Sequence, residues 1–148
     1  MPPFRCLVLP AVIYEEVIGH AQREWPRECC GVLAGQIAEG VAQVTARYAI
    51  TNDAAEVDEF ATNPRDLLNA FRAMRTMGSE LVAIYHSHPN SEPVPSRRDL
   101  ERNTYGESVV HLIVGLVNSG PQVRAWWLGP TCFREASCAV IGPTHNSG

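Results

Sequence analysis

Residues 86–99, HSHPNSEPVPSRRD, limit the possible structure and chemistry of this chain more than any other stretch of its 148 residues. Two histidines stand one residue apart directly after the apolar run LVAIY, so a buried strand is predicted to end in titratable side chains. Because residues i and i+2 of a strand point to the same face, His86 and His88 can present their imidazoles side by side. Two neutral imidazoles that converge in this way suit a borderline-soft cation such as zinc, which needs further ligands.

Asp99 is the natural candidate for a third ligand. Prolines at positions 89, 93 and 95 stiffen the loop before it and reduce the entropy that the loop loses when it folds back. Ser96 opens a predicted helix over 96–103, and a carboxylate in its first turn is favoured by the helix dipole. Two histidines and one carboxylate leave a fourth zinc position open for water, as in catalytic sites. The same S-x-x-D spacing is typical of a capping box, and the two roles can coexist.

The rest of the chain predicts an α/β (α+β) domain, a single compact unit with a mixed sheet flanked by helices. A first helix is expected over 11–25, with one apolar face formed by Val12, Ile13, Val17 and Ala21. A second helix is expected from a cap at Asn63 to Gly78, with an inward face formed by Leu67, Leu68, Phe71 and Met74. Strands are predicted at 31–35, 41–50, 81–88, 109–117 and 122–129.

Composition narrows the possible partners and the compartment. The net charge is -4 and no run of Lys or Arg occurs, which argues against a nucleic-acid binder. No apolar run is long enough to predict a transmembrane helix, and the N-terminal residues do not resemble a secretory signal. Five cysteines without C-x-x-C spacing favour reduced thiols in a cytoplasmic protein, most of them buried.

The motif resembles the signature of the JAMM (MPN-plus) zinc metallopeptidases, which reads His, Ser or Thr, His, Pro, then Ser eight positions after the second histidine and Asp three further on. RECCGVLAG, residues 27–35, is similar to the family's upstream element, in which a glutamate precedes a short buried strand. The resemblance covers about residues 10–130. It implies the JAMM/cytidine-deaminase-like fold over residues 1–140, and residues 141–148 are expected to form a flexible tail.

The resemblance also implies a role for each motif residue. His86, His88 and Asp99 would hold Zn²⁺, Glu28 would act as general base and Ser96 would stabilise the transition state. Zinc lowers the pKa of a bound water toward about 7, which makes hydroxide available at neutral pH. A glutamate can take up the water's proton and deliver it to the leaving amine.

The family hydrolyses peptide or isopeptide bonds that follow the C-terminal Gly-Gly of ubiquitin or ubiquitin-like proteins. Compact stand-alone bacterial members are associated with small sulfur-carrier proteins. The resemblance therefore implies a ubiquitin-like or sulfur-carrier partner with a C-terminal diglycine. Such a tail can thread through a narrow groove where any side chain would clash. Residues 51–60 and the segment after Asp99 are the expected walls of the substrate site.

Three other classes of metal site share part of this pattern. Metallo-β-lactamase sites continue H-x-H with Asp-His, amidohydrolases need a (β/α)8 barrel that 148 residues cannot form, and non-haem iron oxygenases usually use H-x-D. A non-catalytic protein-binding module of the MPN fold remains open, although this chain keeps every ligand. His111 is expected to be a satisfied core or rim histidine. Of Trp126 and Trp127, one is expected in the core and the other partly exposed, and Cys29 and Cys30 are expected to be buried.

Overall fold

The computed structural model describes residues 2–142. Three helices and eight strands lie within this part of the chain. In chain order they are β1 (Cys6–Pro10), α1 (Ala11–Glu24), β2 (Cys30–Ala38), β3 (Val41–Ile50), α2 (Pro64–Met77), β4 (Glu80–His88), α3 (Arg97–Arg102), β5 (Val110–Gly115), β6 (Gln122–Leu128), β7 (Phe133–Glu135) and β8 (Ser137–Ile141). No helix of the described residues is long and apolar enough to cross a membrane.

The described strands form one mixed sheet in the order β7-β6-β5-β4-β2-β3-β1-β8. β1 runs parallel to both β3 and β8, and β4 runs parallel to β5, whereas the other neighbouring pairs are antiparallel. This arrangement confirms the predicted α/β (α+β) class with a mixed sheet and flanking helices. β4 and β2 occupy the centre of the sheet, so each is held by neighbours on both sides.

The two largest apolar cores among the described residues cover opposite faces of the sheet. On one face, Tyr85 of β4 belongs to the core that receives Ile13, Val17 and Ala21 of α1. On the other face, the adjacent Ile84 belongs to the core that receives Ala70 and Met74 of α2. Val12, which was predicted on the buried face of α1, is exposed. It precedes Ile13 by one residue, and one helical residue turns the side chain by about 100°.

The second helix has the predicted ends. The Asn63 side chain accepts a hydrogen bond from the Asp66 N–H, Pro64 is the first helical residue, and Gly78 ends the helix with a φ of 67°. The predicted inward face is only partly correct, because Leu68 is 49% and Phe71 is 36% exposed. Met74 is buried as predicted, Leu67 is partly buried, and Ala70, which was not predicted, faces the sheet four residues before Met74.

The C-terminal part of the sheet departs from the predictions. β7 and β8 were not predicted, and β8 is exposed along its length, so it has no apolar alternation to reveal it. Both Trp126 and Trp127 are buried, at 5% and 2% exposure, so the prediction that one would be partly exposed is wrong. Ile141, expected in the flexible tail, is the last residue of β8, and residues 143–148 lie outside the described part of the chain.

The five cysteines are free thiols. Cys29 and Cys30 are buried as predicted, but Cys132 and Cys138 are exposed and Cys6 is partly exposed. The expectation that most cysteines are buried is therefore wrong. Cys132 lies in the connection between β6 and β7, and Cys138 lies on the edge strand β8.

Candidate active site

The two histidines lie at the end of central strand β4. They point to the face that also receives Ile84, which is the face covered by α2. The Nε2 atoms of His86 and His88 are 3.2 Å apart, and both side chains are buried. The two Nε2 atoms are therefore close enough to bind the same metal ion.

Asp99 completes this group from the first turn of α3. Its Oδ1 lies 3.3 Å from the Nε2 of His86, and its Oδ2 lies 3.3 Å from the Nε2 of His88. The ligand atoms of the three residues lie within 4.8 Å of one another, a spacing at which they could hold a metal ion. The structure therefore brings together the three residues that the sequence predicted as ligands.

A capping box fixes the orientation of Asp99. The Ser96 N–H donates to Oδ2 of Asp99 at 2.9 Å, and the Asp99 N–H donates to Oγ of Ser96 at 3.1 Å. Oδ2 thus serves the helix cap and faces His88 at the same time. The capping role and the proposed ligand role coexist in one carboxylate.

The proline-containing loop fixes the ring of His88. The Nδ1 of His88 lies 2.9 Å from the Glu92 carbonyl oxygen, which can only accept a hydrogen bond. Nδ1 therefore carries a proton, and in the neutral ring Nε2 presents its lone pair to the site. The indole N–H of Trp126 donates to the Pro93 carbonyl at 2.9 Å and holds the loop against the sheet. This contact also explains why Trp126 is buried.

A glycine allows the same loop to approach β5. A Cβ atom at Gly115 would lie 2.6 Å from Cδ of Pro93, closer than packed atoms can come. Any side chain at this position would push the loop away from the sheet. The position of the Glu92 carbonyl, which orients the ring of His88, depends on this close approach of the loop to β5.

Charges in the group are strongly coupled. Burial by itself raises the pKa of Asp99, but hydrogen bonds with His86 and His88 outweigh burial and hold the pKa well below its ordinary value. Burial lowers the pKa of His88, but the hydrogen bond with Asp99 outweighs this effect and raises the pKa. Asp99 is therefore an ionised carboxylate facing two imidazoles, which is a donor set suited to zinc.

Phe60 is a site residue that the sequence reasoning missed. Its ring stacks on the imidazole of His86, with centroids 4.6 Å apart and an angle of 23° between the planes. The loop before it is held to α3, because Arg98 donates to the Asp58 carbonyl and Arg102 pairs with Glu59 at 3.3 Å. Residues 51–60 were predicted as a wall of the site, but no periodic pattern singles out Phe60 within them.

Glu28 lies two residues before β2, the strand that pairs with β4 beside the histidines. It is 9% exposed and borders the same cleft as His88, Ser96 and Asp99. Burial raises its pKa to about 7, and the nearby Asp99 carboxylate adds to this increase while His88 opposes it. A buried carboxyl that titrates near neutrality is suited to accept and release a proton.

Ser96 is exposed at the rim of this cleft. Its Oγ accepts the hydrogen bond from the Asp99 N–H, so its own hydroxyl proton is not used by the cap. The O–H can therefore donate into the cleft. The five residues singled out in the sequence, Glu28, His86, His88, Ser96 and Asp99, thus surround one small region.

His111 departs from its predicted environment. It is 6% exposed, and its Nε2 has no hydrogen-bond partner among the described residues. The expectation of a satisfied histidine is therefore wrong. His111 lines a second, mostly apolar pocket that also contacts His86 and Asp99 from the side of α2.

The fold and the donor set together define a JAMM-type peptidase. The chain belongs to the family described as prokaryotic homologues of the JAB domain, which it matches over residues 10–129. The desampylase of Haloferax volcanii is 35% identical over 139 residues, an alignment that covers 90% of this chain and 96% of the relative. The predicted family and enzyme class are confirmed.

Two further comparisons agree with this membership. The CysO-cysteine peptidase of Mycobacterium tuberculosis is 35% identical over 98 residues, which is 66% of each chain. The solution structure of a protein from Desulfitobacterium hafniense matches with a TM-score of 0.83 at 25% identity, covering 95% of this chain and 97% of that one. The mixed-sheet domain described above is therefore shared along nearly its whole length.

Proposed function

We propose that this protein uses zinc to hydrolyse the peptide or isopeptide bond after the C-terminal diglycine of a ubiquitin-like or sulfur-carrier protein. The observation on which the proposal depends is the meeting of the ligand atoms of His86, His88 and Asp99 within 4.8 Å, with Glu28 bordering the same cleft. Relatives named a desampylase and a CysO-cysteine peptidase support a conjugate of a small carrier as the substrate.

His86, His88 and Asp99 are the proposed zinc ligands. The fit depends on the donor set: Nδ1 of His88 is used by the Glu92 carbonyl, so Nε2, which lies 3.3 Å from Oδ2 of Asp99, is the ring atom that would bind a cation in place of its proton. Three protein ligands leave one position for water or substrate. When bound there, zinc would polarise the scissile carbonyl and acidify the attacking water.

Glu28 is the proposed general base. With a pKa raised to about 7 by burial, its carboxylate can take a proton from the attacking water near neutral pH. The resulting carboxylic acid can then give this proton to the amine that leaves.

Ser96 is the proposed donor to the developing oxyanion. Its backbone is fixed by the cap of α3, and its hydroxyl proton is free to point into the cleft. One preorganised donor of this kind is commonly worth about 3 kcal/mol of transition-state stabilisation.

A diglycine tail suits the narrow cleft beside the proposed ligands. Its lining includes Glu28, His88 and Ser96, together with Phe60 and the ion-paired residues Glu59 and Arg98 that join the loop to α3. Glycines add no side chain that would clash with this lining. A small sulfur-carrier conjugate is preferred over polyubiquitin, because the chain has no long insertions in this region for the recognition of chain linkages. A reducing, cytoplasmic location forms part of the proposal and is supported by the five free cysteines.

The test is to incubate zinc-loaded protein with diglycine-ended carriers joined to amino acids or to a lysine side chain, and to follow the masses of the products. We expect release of the free carrier, which stops when a chelator removes zinc. The chelator should leave the far-ultraviolet circular dichroism unchanged, because the two apolar cores do not include the ligands. Binding of carriers without cleavage of any conjugate would instead identify a non-catalytic MPN module.

A further inference from the structure

An apolar pocket lies on the α2 side of the proposed zinc ligands and adjoins the cleft that contains Glu28, with Phe60, Asp99 and Arg102 lining both. The walls of the pocket include Val32, Phe60, Leu67, Ile84 and Tyr105. His86 and Asp99 border it, whereas His88, Glu28 and Ser96 line only the cleft on the other side. The ligand group therefore lies between two spaces of different chemistry.

Two residues that line the pocket each carry one buried ring nitrogen without a partner among the described residues, Nδ1 of His86 and Nε2 of His111. Of the two, only His111 is not a proposed zinc ligand. His111 is 6% exposed, and its Nε2 makes no hydrogen bond with any described residue. A buried polar atom without a partner is unfavourable, so a hydrogen-bonding group is favoured beside it. An imidazole nitrogen can donate or accept a hydrogen bond, depending on the tautomer of the ring, so Nε2 of His111 can pair with either kind of group.

The charged residues at the pocket are already engaged. Asp99 faces both histidines of the ligand group, and Arg102 pairs with Glu59. A charged side chain that entered the pocket would lose its hydration without gaining a free counter-ion. An uncharged side chain would bury its apolar part against Val32 and Ile84 at no such cost.

We propose that this pocket binds the side chain of the residue on the leaving side of the scissile bond, and that it selects an uncharged side chain that ends in a hydrogen-bonding group, which His111 contacts. The inference rests on the proposed function. A carrier that ends in Gly-Gly has no side chain in the two residues before the bond. A side-chain pocket beside the ligands therefore serves the residue after it.

The test uses zinc-loaded enzyme and ubiquitin extended by one residue X after its Gly-Gly, with X as Gln, Glu, Met or Ala. Gln and Glu differ in charge, and Gln and Met differ in the polar group. We expect kcat/KM for Gln to exceed that for Glu by at least about tenfold and that for Met by about fivefold. Equal values for Gln and Glu would overturn the inference.

Variants assign any such preference to the pocket. Ile84→Phe fills its floor and should reduce the Gln-to-Ala ratio of kcat/KM about tenfold. Leu67→Phe at the partly buried rim provides the same test if Ile84→Phe does not fold. His111→Leu should remove the preference for Gln over Met. Ratios that match those of the wild type in the folded variants would overturn the inference.

A binding measurement separates this inference from the proposed function. If no fusion is cleaved, the methyl NMR signals of Val32, Leu67 and Ile84 are followed during titration with glutamine amide and with the amide of glutamate. Shifts with glutamine amide alone would support the pocket even though the proposed activity had failed. The exposed Val12 and Val140 are controls whose signals should stay fixed. Absence of shifts at the pocket would overturn the inference.

Discussion

The backbone N–H of Cys29 donates a hydrogen bond of 2.8 Å to the hydroxyl of Ser87. The Ser87 N–H in turn donates to the Cys29 carbonyl at 3.2 Å. Ser87 stands between the two histidines and points to the opposite face of β4, and Cys29 follows Glu28. This reciprocal pair joins the proposed base to the proposed ligands, although neither residue borders the cleft.

Ser87→Ala should therefore reduce catalysis while zinc stays bound. The substitution leaves the buried Cys29 N–H without its partner, which costs about 1–3 kcal/mol in the free energy of unfolding. Glu28 should lose its fixed position, so we expect kcat to fall at least about tenfold. Urea unfolding, elemental analysis and steady-state kinetics measure the three effects, with the exposed Ser119→Ala as control. Loss of zinc in step with activity would show that the hydroxyl supports the ligands instead.

Glu28→Gln should abolish hydrolysis and leave zinc in place. The amide cannot accept a proton from water, whereas the ligands are untouched, so kcat should fall about 100-fold or more. Elemental analysis should give equal zinc in the variant and the wild type. The exposed Glu56→Gln provides the matched control. Full activity of Glu28→Gln would exclude Glu28 as the base.

Burial of Glu28 also predicts a pH dependence of stability in the zinc-free protein. Its pKa rises from 4.5 to about 7 on folding, so between these values the folded protein keeps a proton that the unfolded chain releases. The free energy of unfolding should therefore decrease as pH rises through this window. Glu28→Gln lacks this dependence and should be more stable than the wild type at pH 8, by up to about 3 kcal/mol, with little difference at pH 4. Chemical unfolding at several pH values measures the difference, and a constant difference would contradict the raised pKa.

Ser96 allows its capping role to be separated from catalysis. Ser96→Ala removes the cap of α3 and should lower the free energy of unfolding by about 1 kcal/mol. Ser96→Asn keeps a side-chain oxygen for the cap and should restore stability, but it lacks the hydroxyl. We expect kcat to be reduced about 100-fold in both variants. Recovery of kcat together with stability in Ser96→Asn would reduce the role of Ser96 to capping.

Much of the site could be predicted because its residues are tied to local patterns. The i, i+2 spacing of His86 and His88 specifies one strand face, and the S-x-x-D spacing specifies the first turn of a helix. The placement of Glu28 in the site was predicted only from the family resemblance of residues 27–35. No spacing along the chain relates it to β4, because the two strands are paired through the sheet.

The missed features depend on contacts between distant parts of the chain. One of Trp126 and Trp127 was expected to be partly exposed, because successive side chains of a strand point to opposite faces. The proline loop covers the face of Trp126, and the Pro93 carbonyl accepts a hydrogen bond from its N–H. Phe60 lies in a polar loop and becomes a site residue only by stacking on His86. β8 is exposed and is defined by its parallel pairing with β1, more than 120 residues earlier. Such pairings leave no periodic signal in the sequence.

The most direct test of the proposed zinc site is the anomalous diffraction of a crystal of zinc-loaded protein, measured on both sides of the zinc absorption edge. We expect one strong zinc peak bonded to the Nε2 atoms of His86 and His88 and to a carboxylate oxygen of Asp99, with a fourth ligand that the protein does not supply. A peak with these side chains turned away from it, or with cysteine sulfurs as its ligands, would contradict the central claim.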